Sequence, residues 1–134
     1  MWNDVVDLRD FYASSLGAAA QRIIGRRIRD IWPNTKGANV LGLGYATPFL
    51  NLFRAEASRV VAAMPARQGV LHWPLEGKGL TTLCHERELP LDDLSMDRVL
   101  LVHALESTEQ IWPLLRDVWR VMSGSGRLLV VVPN

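Results

Sequence analysis

A single cysteine, Cys84, in a chain of 134 residues excludes an intrachain disulfide and a cysteine metal cluster, and a lone thiol suits a reducing cytoplasm, the expected location. Charge of one sign is missing too: the formal net charge is +1, which supplies no general pull toward nucleic acid, and no nucleic-acid partner is expected. No apolar stretch approaches the roughly 20 residues that cross a bilayer, so no membrane segment is expected. The opening MWNDVVDLRDF places acids where a secretory signal needs positive charge and then an apolar run, so export is not expected either. Low-complexity tracts are also lacking. What is present is a 49% hydrophobic composition, enough to bury a core. The length fits one domain and not two, since domains of about 100–150 residues are commonest.

That one domain, 1–134, divides by pattern at a loop of Pro33, Asn34 and Gly37. Residues 1–37 are predicted to form two N-terminal helices, because Val5, Leu8, Phe11 and Tyr12, then Leu16, Ala20, Ile23, Ile24, Ile28 and Ile31 recur at helical spacing. Ser14 and Ser15 break the two. Arg22, Arg26, Arg27 and Arg29 fall mostly away from this stripe, as a solvated face or as a dock for an anionic substrate.

Residues 38–134 change to short, nearly continuous apolar runs at 39–43, 59–64, 80–84, 98–103 and 127–132. Runs without polar alternation suit strands buried on both faces, as in a parallel sheet covered by helices. Segments 48–57 and 114–122 are predicted crossover helices, giving an α/β architecture. The stretch PARQGVLHWPLEGKG, 65–79, has prolines and glycines but no helical period, so an irregular excursion is expected there. Pro113 belongs in the first turn of its helix, which starts near 109–112, or slightly earlier if Ser107 and Gln110 form a capping box.

The stretch VLGLGYATPFL, 40–50, reads as a strand, a glycine turn and a helix. Gly42 and Gly44 are spaced as in a nucleotide-binding turn, where a missing side chain lets backbone approach a ligand and permits positive φ. Thr47 is the predicted N-cap and Pro48 the first helical residue. That proline removes one N–H that a phosphate would use. A dinucleotide fingerprint needs a third small residue at Thr47 and an acid about 20 residues on, where Met64 stands. An NAD site is therefore poorly supported, and a P-loop less so still, because no Gly-Lys-Ser/Thr follows. What remains is a ligand that needs no pyrophosphate seat on the helix end, and S-adenosylmethionine is such a ligand.

ELPLDDLSMDRVLLVHALES, 88–107, followed by LLRDVWRVMSGSGRLLVVVPN, 114–134, resembles the class I S-adenosylmethionine-dependent methyltransferases of the type 11 kind. The shared marks are Leu89-Pro90 at the end of an acidic loop, a strand opening with Asp97, the Leu-Arg-x-x-x-Arg-Val pattern in 115–121, and a turn at Gly124 and Gly126. The likeness covers roughly 38–134. It implies a Rossmann-like parallel sheet of strand order 3-2-1-4-5 with flanking helices, S-adenosylmethionine as cofactor, and methyl transfer to a small-molecule acceptor. Full-size members have seven strands, so the C-terminal strands of the full fold are expected to be absent and the chain to be a fragment or a truncated product. Its exposed fifth strand would then be open to self-association or a protein partner. The alternative is a catalytically inactive methyltransferase-like fold serving as a binding or adaptor module.

Carried over by position, the resemblance places Gly42, Leu43, Gly44 and Tyr45 beside the methionine part of the cofactor, and Met64 and Pro65 near the ribose and adenine. Arg87 and Glu88 would border the adenine, His103, Ala104 and Leu105 would close the site, and Tyr12 would act as a lid residue by analogy. The family pattern carries acids at the positions of Gly42 and Met64. Losing the acceptor for the ribose hydroxyls implies about 1.5–3 kcal/mol, or a roughly tenfold to hundredfold weakening. No catalytic residue is assigned, because methyl transfer needs mainly in-line alignment. His103 fits a cofactor wall, a general base, or a strand-end histidine held by backbone. His72, His85 and Glu86 match no zinc spacing, so they are read as loop residues in water and no metal is expected. Asp92, Asp93 and Asp97 are read as caps and solvated charges, and Cys84 as a buried inert thiol. Trp73 and Trp112 fit either core or a substrate-facing position.

Overall fold

All five apolar runs become strands of one sheet. In the computed structural model, which describes residues 2, 4–74, 76 and 79–134, they are β1 (Asn39–Gly44), β2 (Arg59–Pro65), β3 (Thr81–Cys84), β4 (Met96–Val102) and β5 (Met122–Val131). They pair in the order β3-β2-β1-β4-β5, every pair parallel, which is the predicted Rossmann-like arrangement. The runs of β1, β2 and β4 lack alternation because both faces are covered, whereas the edge strands β3 and β5 are partly exposed. Val40, Ala62, Leu100 and Val102 pack against α1 (Val5–Ala13), α2 (Ser15–Ile31) and the segment that begins with α3 (Thr47–Leu50). Leu41, Leu43, Ala63, Val99 and Leu101 pack against Leu114, Val118 and Val121 of α4 (Ile111–Val121). Among the described residues no helix is long and apolar enough to cross a membrane.

The predicted break between the first two helices falls on Ser14, which ends α1 and caps α2 by accepting from Gly17 N at 3.1 Å. The packed face of α2 matches the predicted stripe only in part: Ile28 is buried and Ile24 packs against the core. Leu16, Ile23 and Ile31 are 73%, 62% and 53% exposed, while Gly17, Gly25 and Ile28 are buried. A Cβ at Gly17 would collide with the Phe11 carbonyl, so the close approach of α1 selects the small-residue face.

The helix predicted over 48–57 ends at Leu50, and its cap is Ala46 rather than Thr47, with no side-chain cap bond. Past Leu50 the N–H groups of Leu52, Phe53 and Glu56 bond to carbonyls three residues back, tight turns that deliver Phe53 to the core. The Glu56 carboxylate accepts from Arg29 and from Thr35 N and Oγ1, at 3.1 and 2.9 Å for the latter two. These hydrogen bonds, Arg29 first, lower its pKa from 4.5 to about 2. The stability that this carboxylate contributes is complete above pH 4.5 and fades as the pH falls toward 2. Between those values the urea midpoint of Glu56→Gln should fall less steeply than that of the unsubstituted protein.

The 65–79 excursion is irregular in its described part, with Trp73 buried and a cis Trp73–Pro74 bond. β4 starts two residues before its predicted run, and β5 directly follows α4, with a register jump from Met96↔Met122 to Arg98↔Arg127 that absorbs Gly124 and Gly126. Ser107 and Gln110 form no capping box: Gln110 is itself the N-cap of α4, which starts at Ile111 without a side-chain cap bond. Asp97, read as a cap or solvated charge, ties strand beginnings together, accepting from Asn39 N at 2.8 Å and Ser123 Oγ at 2.9 Å. The Leu-Arg-x-x-x-Arg pattern also acquires a physical meaning. Arg120 donates to Leu89 O, Leu91 O, Asp93 and Asp117, while Asp117 accepts from Leu89 N, so α4 clamps the Leu89–Leu91 turn. Burial pushes the Asp117 pKa up, but the bonds from Arg120 and Leu89 outweigh it and hold the carboxyl below its ordinary value.

Candidate functional site

In an open α/β sheet ligands enter the crevice beyond the carboxyl ends of the strands, and here Gly44, Pro65, Cys84 and Val102 mark those ends. Gly44 has φ +89°, and a Cβ on it would strike the Val102 carbonyl, which also accepts from Tyr45 N at 2.8 Å. Its bareness lets β1 and β4 meet. Gly42 is roofed by Leu50 and Ala46, whose side-chain atoms would lie 2.6 and 2.7 Å from an added Cβ. Both glycines therefore have reasons internal to the chain.

On the rim, β4 turns away through His103, whose φ of 55° is left-handed, a conformation common only for glycine. Its Nε2 lies 2.7 Å from Tyr12 Oη and its Nδ1 3.2 Å from Glu106 Oε2. The Tyr12 ring stacks on Tyr45 at 5.7 Å between centroids. Burial above all, with Tyr45 and Glu106 nearby, pushes the Tyr12 hydroxyl up to about 12, so it stays protonated through neutral pH. Histidine, tyrosine and glutamate thus form a chain along which a proton can be held or passed.

The opposite rim is built around Glu86, read as a solvated loop residue but only 5% exposed. A tight turn, with an isolated His85–Glu88 bridge, carries it inward. Glu86 accepts from Trp2 Nε1 and Thr108 Oγ1, each at 2.8 Å, and from Gln110 Nε2 at 2.9 Å, joining the loops that follow β3 and β4. Burial first, then the charges of Glu86 and Asp117, raises the neighbouring Cys84 thiol to about 12, so it is no nucleophile at neutral pH. A cavity of about 40 Å³ remains between Trp2, Pro65, Cys84 and His85. A larger one, about 550 Å³, lies at the amino ends of β2 and β3 beside Arg59 and Thr81, away from the crevice. Among the described residues no three His, Cys, Asp or Glu side chains are grouped to hold a metal ion.

Of the residues singled out in sequence, Leu43, Gly44, Tyr45, Pro65, His103 and Ala104 gather at the carboxyl ends, with Leu105 partly buried behind them. Met64 is fully buried and its Sδ accepts from Leu71 N at 3.4 Å, so it offers a ribose no acceptor. Arg87 and Glu88 are exposed. Trp73 is buried and Trp112 is 73% exposed, so only the former is core. The residues missed are Glu86 and Trp2. Glu86 is partnered 84, 22 and 24 positions away, and no local spacing signals such contacts.

A family model described as a methyltransferase domain matches residues 25–130. No curated protein matches the chain in sequence. Among solved structures, a SAM-dependent methyltransferase from Archaeoglobus fulgidus is similar at TM-score 0.61 and 22% identity, over 82% of this chain and 52% of that one. The [4+2]-cyclase SpnF is similar at TM-score 0.64 and 20% identity, over 87% and 46%. An S-adenosylmethionine-dependent methyltransferase from Mesorhizobium loti is similar at TM-score 0.61 and 21% identity, over 78% and 51%. The chain spans about half the length of each, and the likeness at such identities is one of fold.

Proposed function

This chain belongs to the methyltransferase domain family, and from that footing we propose that it binds S-adenosylmethionine across the carboxyl ends of its sheet and transfers the methyl group to a small-molecule acceptor. The observation that carries the proposal is a family match over residues 25–130, which runs from α2 into β5; with it goes the reading that Gly44, Tyr45 and His103, at the carboxyl ends of β1 and β4, border the cofactor. The residues present suit part of that ligand. Glu86, which already accepts a ring N–H from Trp2, has the chemistry to hold an adenine edge. The Gly44–Tyr45 backbone, with Gly42 and Leu43 behind it, would receive the amino-acid tail. Met64 and Pro65 would flank the ribose without a carboxylate, and Arg87 and Glu88 would stand outside the adenine. His103, Ala104 and Leu105 would form the far wall. The cofactor supplies an electrophilic methyl group on a sulfonium. The chain's part is to exclude water, to align the acceptor, and, for an acceptor that arrives protonated, to take its proton toward His103 and Glu106.

Calorimetry with S-adenosylmethionine and S-adenosylhomocysteine tests this. Binding is expected, weakened about tenfold to hundredfold by the missing ribose acid. No heat and no thermal shift at millimolar ligand would overturn it.

A second reading, a ligand-free adaptor, is favoured by the roofed Gly42, by Met64, and by the outer edge of β5, which pairs with no further strand among the described residues and where Leu128 is 41% exposed. It requires a self-associating chain or a co-purifying protein on that edge. A monomer that binds the cofactor and methylates an acceptor removes it. Organisation as one domain over 1–134 and residence in the cytoplasm belong to the same proposal, the latter in keeping with a chain whose single cysteine is buried.

A further inference from the structure

Trp2 precedes the first helix, yet it is only 8% exposed. Its indole packs in the cluster that contains Leu43, Ala63, Cys84 and Ala104, residues at or near the carboxyl ends of four different strands. Its Nε1 donates to Glu86, whose other donors, Thr108 and Gln110, come from the loop after β4. The ring therefore lies at the carboxyl ends of β2 and β3, beside Pro65, Ala66, Cys84 and His85, in the crevice where such a sheet receives its ligand. The seat has apolar side chains against a flat ring and a carboxylate at one edge to accept from a ring N–H. A purine with an exocyclic amino group asks for the same chemistry.

We propose that the Trp2 indole occupies the seat of the cofactor's base, so that the strap formed by Trp2 and α1 and the bound cofactor exclude one another. The inference rests on the cofactor reading above. Among the described residues three hydrogen bonds tie the strap to the sheet side of the domain, Trp2 to Glu86, Val5 N to Gln68 O at 2.9 Å and Tyr12 to His103 at 2.7 Å, while Val5, Leu8 and Tyr12 anchor α1 in the core, so Trp2 is the part free to be displaced. Beside its attachment lies a defect. Gln68 is 1% exposed and neither atom of its side-chain amide has a hydrogen-bond partner among the described residues. Buried amides are normally satisfied, which makes this attachment the point of the strap with the least polar support among the described residues. Every closed molecule is unavailable to ligand, which lowers the apparent affinity by the fraction that is open.

The test uses the full chain with 5-fluorotryptophan in place of its five tryptophans, the Trp2 fluorine resonance being assigned by its loss in Trp2→Phe. Saturating S-adenosylhomocysteine should move that resonance to the solvent position. In calorimetry Trp2→Ala should bind the same compound about tenfold more tightly, as expected if about one molecule in ten is open. Free indole should stabilise Trp2→Ala against heat and leave the unsubstituted protein unchanged, showing that the variant folds and keeps the seat. Ligand binding with the Trp2 resonance unmoved and equal affinity in Trp2→Ala overturns the strap and leaves the cofactor reading standing. No binding to either protein, while indole still enters the variant, overturns the cofactor reading and the competition with it.

Discussion

Gly44→Ala should lower the stability of the protein by ~3 kcal/mol, whether or not ligand is present, because left-handed backbone costs about 1–2 kcal/mol and overpacking about 1–3 kcal/mol for a residue with Cβ. The added carbon would meet the Val102 carbonyl oxygen, a backbone atom that cannot swing aside, and the φ of +89° is strained for any L side chain. Gly42→Ala should cost less, since the obstructing atoms belong to the Leu50 and Ala46 side chains. Gly124→Ala, with nothing within 4 Å of the added carbon, should lie within about 0.5 kcal/mol of the parent. Urea unfolding at unchanged m-value gives the ranking. Were the turn bare only for a ligand, Gly44→Ala would unfold at the same urea concentration as the parent and lose binding alone. A 3 kcal/mol loss is a large share of the ~5–15 kcal/mol that a domain has.

How much of this was legible in sequence differs between sheet and crevice. The sheet was readable because its information is local: Val40, Leu41 and Leu43, or Val99 to Val102, are apolar without alternation, and only strands covered on both faces use such runs. The order β3-β2-β1-β4-β5 came with the resemblance carried by Leu89-Pro90, Asp97 and Arg120, and the structure gives two of those marks a mechanical role, Asp97 as a strand tie and Arg120 as a clamp. Helix faces were less legible. In α2 the apolar residues Leu16, Ile23 and Ile31 face solvent, because close approach to α1 depends on what is absent at Gly17, and hydrophobic periodicity cannot register an absence. The crevice was least legible. Glu86 looks like one more charge in HERE until Trp2, Thr108 and Gln110 converge on it, and each comes from a distant part of the chain. Arg87 and Glu88, one and two residues further on, remain in solvent. A tight turn decides which of three neighbouring charged side chains is buried, and sequence spacing does not reveal that.

Gly17→Ala should destabilise the protein by ~3 kcal/mol, although alanine at an exposed helix interior position improves on glycine by about 1 kcal/mol. The two effects have opposite sign, and geometry decides between them. Gly17 lies in the first turn of α2, directly against the end of α1, where its added carbon would collide with the Phe11 carbonyl oxygen and approach Phe11 C and Tyr12 Cα at 2.6 and 2.7 Å. All three are backbone atoms, so relief requires α1 to move away from α2 as a unit. Ser14, which accepts from Gly17 N while ending α1, fixes the two helices at this corner and leaves no slack to share the displacement. Tyr12 sits at the obstructed point, so the same movement should break its hydrogen bond to His103 and its stacking on Tyr45. Thermal and urea unfolding measure the loss, and a fall in the phenolic pKa of Tyr12 from about 12 toward 10, followed by ultraviolet titration, reports the separation. A variant that melts at or above the parent temperature would mean that helix propensity prevails and that α1 and α2 do not meet at Gly17.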